Sequence, residues 1–448
     1  MGRIAVTSHL VQEKLGGYVA EKKFRFGLLI GQPSSEGKDY IVYATQTQNH
    51  VGDLYDSEDQ RKSIVQEYTI ETLDPQLLVN HAVVVTRMIP GCFFVQGMFV
   101  VSEVNIFQDE VAAKKVRQCV LEINKILSDN SIFRSNTAKY DNGDKLILHC
   151  PPTGQWTCRT MNVNEPSASF KPADWKVYDK PVSWHLFETN YDIEEVFPLF
   201  INKKTANLEQ NFLLSLKNLN SYLESSAIFI HHDHSEDNVL LEALLKVRRE
   251  KKEQSEHFRS TVFFPATIPD PDLGRIIKVY GTIRYSGIVY SRIWAHPKTE
   301  IKDVKDFIRN DILRSLASRV QIYCDSLTES NVHEGSFIVS EPPRRVFIKV
   351  AGTGGIEFCE YLFRGELPEI VVDQAKEMLD LKITTNDVET DIEALPVYED
   401  ELSTISDESI TSTNSLLPRH EVRKNMYLAG ILGALVVLIV SLIVHFIR

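Results

Sequence analysis

The stretch KFRFGLLIGQPSSEGKDYIVYATQT, residues 23–47, predicts how the fold begins. Its first half alternates large apolar side chains with other residues, as one face of a half-buried β-strand does: Phe24, Phe26, Leu28 and Ile30. Residues 33–37, Pro-Ser-Ser-Glu-Gly, have the composition of a turn. Residues 39–47 are again rich in β-branched and aromatic side chains, which favour strands. We therefore expect an antiparallel β-hairpin here.

The rest of the body predicts a mixed α/β (α+β) protein. Strand-like composition occurs at 81–88, 92–101, 145–150, 155–161, 227–232, 275–294 (as two strands), 346–350 and 356–363. Apolar residues recur at three- and four-residue steps, which is typical of amphipathic helices, at 111–127, 205–223, 240–254 and 300–327. With 448 residues, the chain is long enough for more than one domain. We expect two α/β regions, at 1–175 and 176–372.

An acidic segment follows the predicted body. Nine acids and no lysine or arginine lie in 387–417, and 418–448 carries a net +3, so 1–386 carries −6 of the total of −12. The segment 373–425 is rich in Ser and Thr and poor in large apolar side chains, so it cannot offset the entropy cost of ordering. We expect a disordered tether. A docking motif controlled by phosphorylation, with Thr404 ahead of Asp407, is the alternative.

One long apolar run, 426–447, predicts a membrane span. It has no charged side chain from Met426 to Val444. A helix of its length spans about 33 Å, against a hydrocarbon core of about 30 Å. A buried core helix, the alternative, usually has a polar stripe, and this run has none. The preceding bases place the upstream side in the cytosol: Arg419, Arg423 and Lys424.

These features predict a tail-anchored protein with a cytosolic body and a single contact with the lipid bilayer. The Leu-, Val- and Ile-rich span favours the endoplasmic reticulum membrane, with the mitochondrial outer membrane as the alternative. The six cysteines are too thinly scattered for a secreted disulfide scaffold, which agrees with a reducing compartment. The body has no basic stripe, so no nucleic acid partner is expected.

A histidine-rich stretch, His231–Asp237, is the strongest candidate for a metal site. Imidazoles and carboxylates are zinc ligands, and His232 and His234 would share one face of a continuing strand. A third ligand is not evident in the sequence. The favoured interpretation is therefore the polar end of a strand that turns into a helix near Asp237, and we expect neither a metal nor a cofactor.

Other signals of catalysis are weaker. Gly352-x-Gly354-Gly355 is not followed by the Lys-Ser/Thr of a phosphate-binding loop and is explained by a strand-to-strand turn. Cysteine usually acts as an inert apolar residue in apolar or strand-like settings, and this applies to Cys92, Cys150, Cys158, Cys324 and Cys359. We assign no catalytic residue and expect a protein that is not an enzyme.

The whole chain resembles the odr-4 family. The resemblance is carried by residues 24–48 together with NHAVVVTRMIPGCFFVQGMFVV (80–101), CPPTGQWTCRTMNV (150–163), GGIEFCEYLFRGE (354–366) and the C-terminal apolar run. It implies a tail-anchored adaptor of the endoplasmic reticulum. Such an adaptor supports the maturation and trafficking of G-protein-coupled (odorant) receptors. It also recruits the larger cysteine protease specific for the ubiquitin-fold modifier.

The first strands are also similar to the MPN (JAB-type) domain of deubiquitinating metalloproteases. If Gly91 matches the glycine of that motif, Phe94 and Gln96 stand where the metal-binding histidines would be. The pair His232 and His234 fails as well, because Glu242 and Leu245 occupy the two downstream positions of the motif. The resemblance therefore implies a non-catalytic MPN-like domain over 1–175.

Two functions of different classes follow. The favoured one is a non-enzymatic, membrane-anchored adaptor with a receptor and the modifier-specific protease as partners. The alternative is a tail-anchored hydrolase that acts at the membrane surface through His231–Asp237. Strand residues Tyr285, Tyr290 and Trp294 are candidates for a partner surface, although packing in the core is the favoured fate of each.

Overall fold

The mixed α/β class is confirmed by a computed structural model. It describes residues 2–34, 37–48, 69–129, 143–165, 167, 169–179, 182–200, 208–231, 236–250, 257–264, 279–329 and 342–393. Within these ranges, none of the helices combines the length and the apolar character that crossing a bilayer requires. The predicted span, 426–447, and the segment 394–425 lie outside the described residues.

The N-terminal part is a closed barrel with the strand order β1-β3-β2-β4-β5-β6-β7. Its strands are β1 (Arg3–Thr7), β2 (Arg25–Pro33), β3 (Lys38–Gln46), β4 (Phe94–Val101), β5 (Asp144–His149), β6 (Thr157–Asn162) and β7 (Lys171–Val177). Three helices accompany them: α1 (His9–Ala20), α2 (Pro75–Met88) and α3 (Glu110–Asp129). The predicted hairpin is confirmed, because β2 and β3 pair antiparallel from Gly27↔Gln46 to Pro33↔Asp39.

The prediction of a strand at 81–88 is wrong, because these residues form the second half of α2. Asp74 caps the helix by accepting a hydrogen bond from the Gln76 backbone N–H at 3.0 Å, and Pro75 occupies the first turn. β-branched residues have a low helix propensity. They are tolerated here because burial of a wide face of the helix outweighs that propensity. Its buried apolar side chains are Leu78, Val79, Ala82, Val85 and Met88.

A second sheet has the strand order β11-β8-β10-β9. It contains β8 (His185–Phe200), β9 (Ala227–Ile230), β10 (His257–Phe263) and β11 (Val279–Ala295), with helices α4 (Leu208–Ser225), α5 (Leu241–Glu250) and α6 (Ile301–Glu329). The prediction of two strands within 275–294 is wrong. β11 is continuous and pairs antiparallel with β8 from Val279↔Phe200 to Ala295↔His185.

A third, small sheet has the order β13-β12-β14, and its strand β14 comes from the segment that the sequence predicts to be disordered. Its elements are β12 (Arg344–Lys349), β13 (Glu357–Leu362), α7 (Pro368–Leu379) and β14 (Val388–Glu389). Residues 373–393 therefore do not follow the prediction of disorder. They continue α7, form a 3-10 turn with a capping box between Thr384 and Asp387, and add β14 to the sheet.

One apolar core extends through all three sheets. A single cluster of buried side chains includes Leu28 of the barrel, Phe187 and Trp294 of the second sheet, Ile312 of α6 and Phe358 of the third sheet. Gln32 of β2 donates hydrogen bonds to the Trp294 carbonyl at 2.9 Å and the Cys92 carbonyl at 3.2 Å. Residues 1–394 accordingly form one compact unit, and the predicted boundary at 175/176 falls within β7 and within that unit.

Candidate functional site: a buried charged centre around helix α6

Of the stretch His231–Asp237, the structure describes His231, Glu236 and Asp237. His231 follows β9 with a left-handed φ of 52°, and its ring centroid lies 5.2 Å from that of Phe258. Asp237 Oδ1 lies 2.6 Å from Lys305 Nζ, and residues 232–235 are outside the described ranges. Among the described residues, no three His, Cys, Asp or Glu side chains are grouped as metal ligands would be.

The cysteines are poorly suited to nucleophilic chemistry. Cys324 is half-buried and the other five are buried. Burial raises the pKa of Cys119 and Cys158 to about 12, raises that of Cys324 and Cys359 to about 11, and raises the pKa of Cys92 and Cys150 as well. Only the thiolate is a nucleophile, and thiols with such a raised pKa stay protonated at neutral pH. These cysteines are therefore suited to packing. His149, the residue before Cys150 in the sequence, contacts Ser102 instead, with Nε2 3.2 Å from the Ser102 Oγ.

The remaining candidates from the sequence are Phe94, Gln96 and the glycine-rich bend at 352–355. Phe94 is half-buried at the start of β4, and Gln96 is buried with Nε2 3.4 Å from the Gly31 carbonyl oxygen. The glycine-rich bend at 352–355 is the predicted strand-to-strand turn, between β12 and β13. Thr353 fixes this turn, because its hydroxyl lies 2.7 Å from the Val350 carbonyl and 2.9 Å from that of Ile356.

Helix α6 carries a row of buried polar and charged side chains that the sequence analysis did not single out. They recur at three- and four-residue steps and so share one face of the helix, and none is more than 5% exposed: Asn310, Asp311, Arg314, Ser315 and Arg319. Charges are costly to bury without partners. We call these five residues and their partners Gly91, Arg345 and Glu393 the charged centre.

Gly91 fits closely against α6 at one end of the charged centre. Its backbone N–H donates to Asp311 Oδ1 at 2.7 Å, and its carbonyl accepts from the Asn310 side-chain amide. A Cβ atom at this position would lie 2.3 Å from the Asp311 backbone nitrogen. Only glycine therefore allows the turn before β4 to approach the helix this closely.

Asp311 also forms a two-pronged ion pair with Arg345 of β12. The distances are 2.7 Å from Nη1 to Oδ2 and 3.0 Å from Nη2 to Oδ1, and both side chains are almost fully buried. Burial opposes the charge on Arg345, but the Asp311 carboxylate more than offsets it, so the pKa of Arg345 is raised well above its usual value. The pair joins α6 to the third sheet.

Arg314 has no such carboxylate among the described residues. Its Nη1 donates to the backbone carbonyls of Phe93 at 3.0 Å, Pro90 at 3.1 Å and Ile89 at 3.4 Å. Its guanidinium carbon lies 5.2 Å from the Phe94 ring centroid. Burial lowers the pKa of Arg314 to about 10, so the side chain is still a cation at neutral pH.

Arg319 pairs with Glu393, which lies in the acidic segment. Arg319 Nη2 is 2.7 Å from Oε1 and 2.6 Å from Oε2. The same carboxylate accepts from the Tyr290 backbone N–H at 2.7 Å and from the Arg345 backbone N–H at 2.8 Å. Glu393 thus links the backbones of β11 and β12, which belong to different sheets.

A second group of contacts holds the C-terminal end of α7 against the barrel. The last carbonyls of a helix have no partner within the helix, and side chains of β3 and α1 supply donors here. Tyr43 OH donates to the Leu379 carbonyl at 2.8 Å, Lys14 Nζ to the Asp380 carbonyl at 2.9 Å, and Tyr18 OH to the Asp380 carboxylate at 2.6 Å. Burial lowers the pKa of Lys14 to about 8, although Asp380 partly counteracts this.

The charged centre positions backbone segments and holds the three sheets together. The sequence signal was present as polar residues at helical spacing within 310–319, but the same spacing is typical of a solvated helix face. Only the partners distinguish the two cases. Asp311 and Arg345 are 34 positions apart, and Arg319 and Glu393 are 74 apart.

The model of the family described as "Odorant response abnormal 4-like" (ODR4-like) matches residues 27–390. "Protein odr-4 homolog" from Drosophila melanogaster is 27% identical over 95% of both chains. The proteins of the same name from Mus musculus and Homo sapiens are each 27% identical over 98% of both chains.

A crystal structure of UfSP from C. elegans is also similar, with a TM-score of 0.43 and 5% identity over 85% of this chain and 57% of that chain. The family model covers strands β3 to β7 of the barrel and every residue of the charged centre except Glu393. The chain therefore belongs to the ODR4-like family.

Proposed function

We propose that this protein is a non-enzymatic adaptor anchored in the endoplasmic reticulum membrane through 426–447. In this role it supports the folding and trafficking of G-protein-coupled receptors and recruits a cysteine protease specific for a ubiquitin-fold modifier. The observation that carries the proposal is membership of a family named for the odorant response. The family model and the relatives extend over most of the chain, so the proposal concerns the whole protein rather than one segment.

The apolar run at 426–447 supports the membrane part of the proposal. Its uncharged length matches the thickness of a bilayer, and bases precede it. The folded body extends to residue 393. Glu389 pairs with Arg292, and Glu393 pairs with Arg319. In the proposed arrangement, a tether from about residue 394 connects a rigid body to the membrane.

Exposed apolar side chains on the second sheet support a role in binding proteins. Val196 of β8 is 58% exposed and Ile288 of β11 is 44% exposed, and both lie on the face opposite the buried residues Ile193 and Val289. Exposed apolar residues on a sheet face are suited to contact with a partner. Of the sequence candidates for this role, Tyr285 and Trp294 are buried, as the favoured interpretation predicted.

The proposal includes a non-catalytic MPN-like role for the N-terminal region. In this proposal the barrel β1–β7 with helices α1–α3 provides the scaffold. If Gly91 matches the glycine of the metalloprotease motif, Phe94 and Gln96 take the positions of the histidines. Neither side chain supplies an imidazole, so in this proposal the region acts by binding.

Affinity purification from membranes tests the proposal. Full-length protein should retain a modifier-specific protease and a receptor, and a chain without 426–448 should lose the membrane-bound receptor. The double variant V196D/I288D should capture at least tenfold less protease. The matched control is V111D, because Val111 has the same 58% exposure but lies on α3. Equal recovery of all candidate partners with an unrelated tail-anchored bait would contradict the proposal.

A further inference from the structure

A small cavity lies between the barrel and the charged centre. Strand β4, helix α3 and helix α6 contribute to its wall, and its volume is about 80 Å³. One water requires ~10–15 Å³ on this measure, so the cavity has room for a group of about four or five non-hydrogen atoms. Its wall combines apolar side chains of α3 with polar side chains, as small-molecule sites do.

Arg314 supplies a buried positive charge to this wall. Two of its guanidinium nitrogens, Nε and Nη2, are buried and have no hydrogen-bond acceptor among the described residues. Nη1 is already occupied by three backbone carbonyls. The nearby carboxylate of Asp311 is committed to Arg345 and to the Gly91 N–H. A buried cation with unused donors is costly, and an anion in the cavity would remove that cost.

The other polar groups of the wall are also suited to an anion. Lys145 is a second cation, and the described lining residues include no carboxylate. The amides of Gln96 and Asn124 and the hydroxyl of Ser128 add groups that can donate hydrogen bonds. Gln96 and Arg314 are buried, whereas Asn124, Ser128 and Lys145 are half-buried and so lie toward the solvent side.

We propose that this cavity binds a small oxyanion, a phosphate or carboxylate group, through the guanidinium of Arg314. The planar guanidinium can present two parallel N–H groups to such an oxyanion, and Lys145 contributes charge from the solvent side. The site is distinct from the Val196 and Ile288 surface and does not depend on the adaptor role.

Equilibrium dialysis of the full-length chain in a neutral detergent with radiolabelled inorganic phosphate tests the proposal. We expect saturation at about one phosphate per chain at constant ionic strength. Unlabelled acetate and unlabelled phosphate serve as competitors. Stronger competition by acetate identifies a carboxylate site, and stronger competition by phosphate identifies a phosphate site.

Two variants should each weaken binding at least tenfold. R314M removes the cation, and S128F fills the solvent side of the cavity while leaving Arg314 in place. S128F keeps the test decisive if R314M fails to fold. K125M is the matched control, because Lys125 is an exposed cation of α3, the helix of Ser128, and does not line the cavity. The K125M variant should bind phosphate as the unaltered protein does. Unaltered binding by S128F, or no binding of either anion at 20 mM, would overturn the proposal.

Discussion

Arg319 and Glu393 form a buried ion pair in which one guanidinium nitrogen lies 2.7 and 2.6 Å from the two carboxylate oxygens. Both side chains are buried. Glu393 also accepts backbone hydrogen bonds from β11 and β12. An acid of the predicted disordered segment is therefore part of the folded body, and it fixes two sheets relative to α6.

The variant E393Q should lower the free energy of unfolding by about 3–5 kcal/mol, because it leaves the Arg319 cation buried without a counter-charge. Urea unfolding followed by tryptophan fluorescence measures the change. Asp391 is exposed and lies two residues away, so D391N should change the free energy by no more than about 0.5 kcal/mol. Equal effects of the two variants would show that Glu393 is not buried in solution.

Alanine at Gly91 should destabilise the protein by about 1–3 kcal/mol, because the added Cβ would lie 2.3 Å from the Asp311 backbone nitrogen. Alanine at Gly17 should instead stabilise it by about 0.4–1 kcal/mol, because Gly17 is exposed within α1 and an added Cβ meets nothing within 4 Å. Thermal unfolding of G91A and G17A measures both effects. The same sign for the two variants would contradict the close contact between Gly91 and α6.

The burial of Lys14 should make stability depend on pH. Its pKa is about 8 in the folded protein and 10.5 ordinarily, so between these values the unfolded chain binds more protons. The cost of burying the charge is present below pH 8 and is relieved as the pH rises. The free energy of unfolding should therefore rise from pH 8 to 10 relative to K14M, by up to about 3 kcal/mol.

Other groups titrate in the same pH range. The quantity to measure is therefore the difference in the free energy of unfolding between the unaltered protein and K14M. Burial raises the pKa of Tyr18 and Tyr43 above their ordinary value, which lowers stability above about pH 10 in both proteins. A difference between the unaltered protein and K14M that does not change with pH would contradict the burial of Lys14.

Arginine in the middle of the proposed membrane span should impair insertion. V437R should raise the cost of insertion by about 2.5–3.5 kcal/mol, whereas V437L should leave it nearly unchanged. The measurement is the fraction of full-length protein that stays with membranes after carbonate washing. If V437R and a chain without 426–448 both stay with the membranes as fully as V437L, the span is not the anchor.

Much of the fold could be predicted from local patterns. The hairpin of β2 and β3 follows from period-two alternation and a polar turn, and α3, α4 and α6 follow from apolar residues at helical spacing. The same method was wrong for 81–88, where β-branched composition predicts a strand. There the cap at Asp74 and the burial of a wide helical face determine the conformation.

The charged centre could not be predicted in the same way. Polar residues of α6 such as Asp311 and Arg319 have the spacing of a solvated face, and their burial depends on partners that are distant in the chain. Composition likewise predicted disorder for 373–425, because the segment is poor in large apolar side chains. In the structure, ion pairs with Arg292 and Arg319 hold Glu389 and Glu393 of this segment in the folded body.

The sequence by itself determined the mixed α/β class, the first hairpin, the long helices and a membrane-length apolar run, because each depends on the spacing of side chains along a short stretch. The tertiary structure alone decided that α2 is a helix, that the compact unit continues to residue 394, and that α6 carries a buried charged centre. These features depend on which groups meet in space, and the energy of a buried charge is set by its partner rather than by its neighbours in the chain.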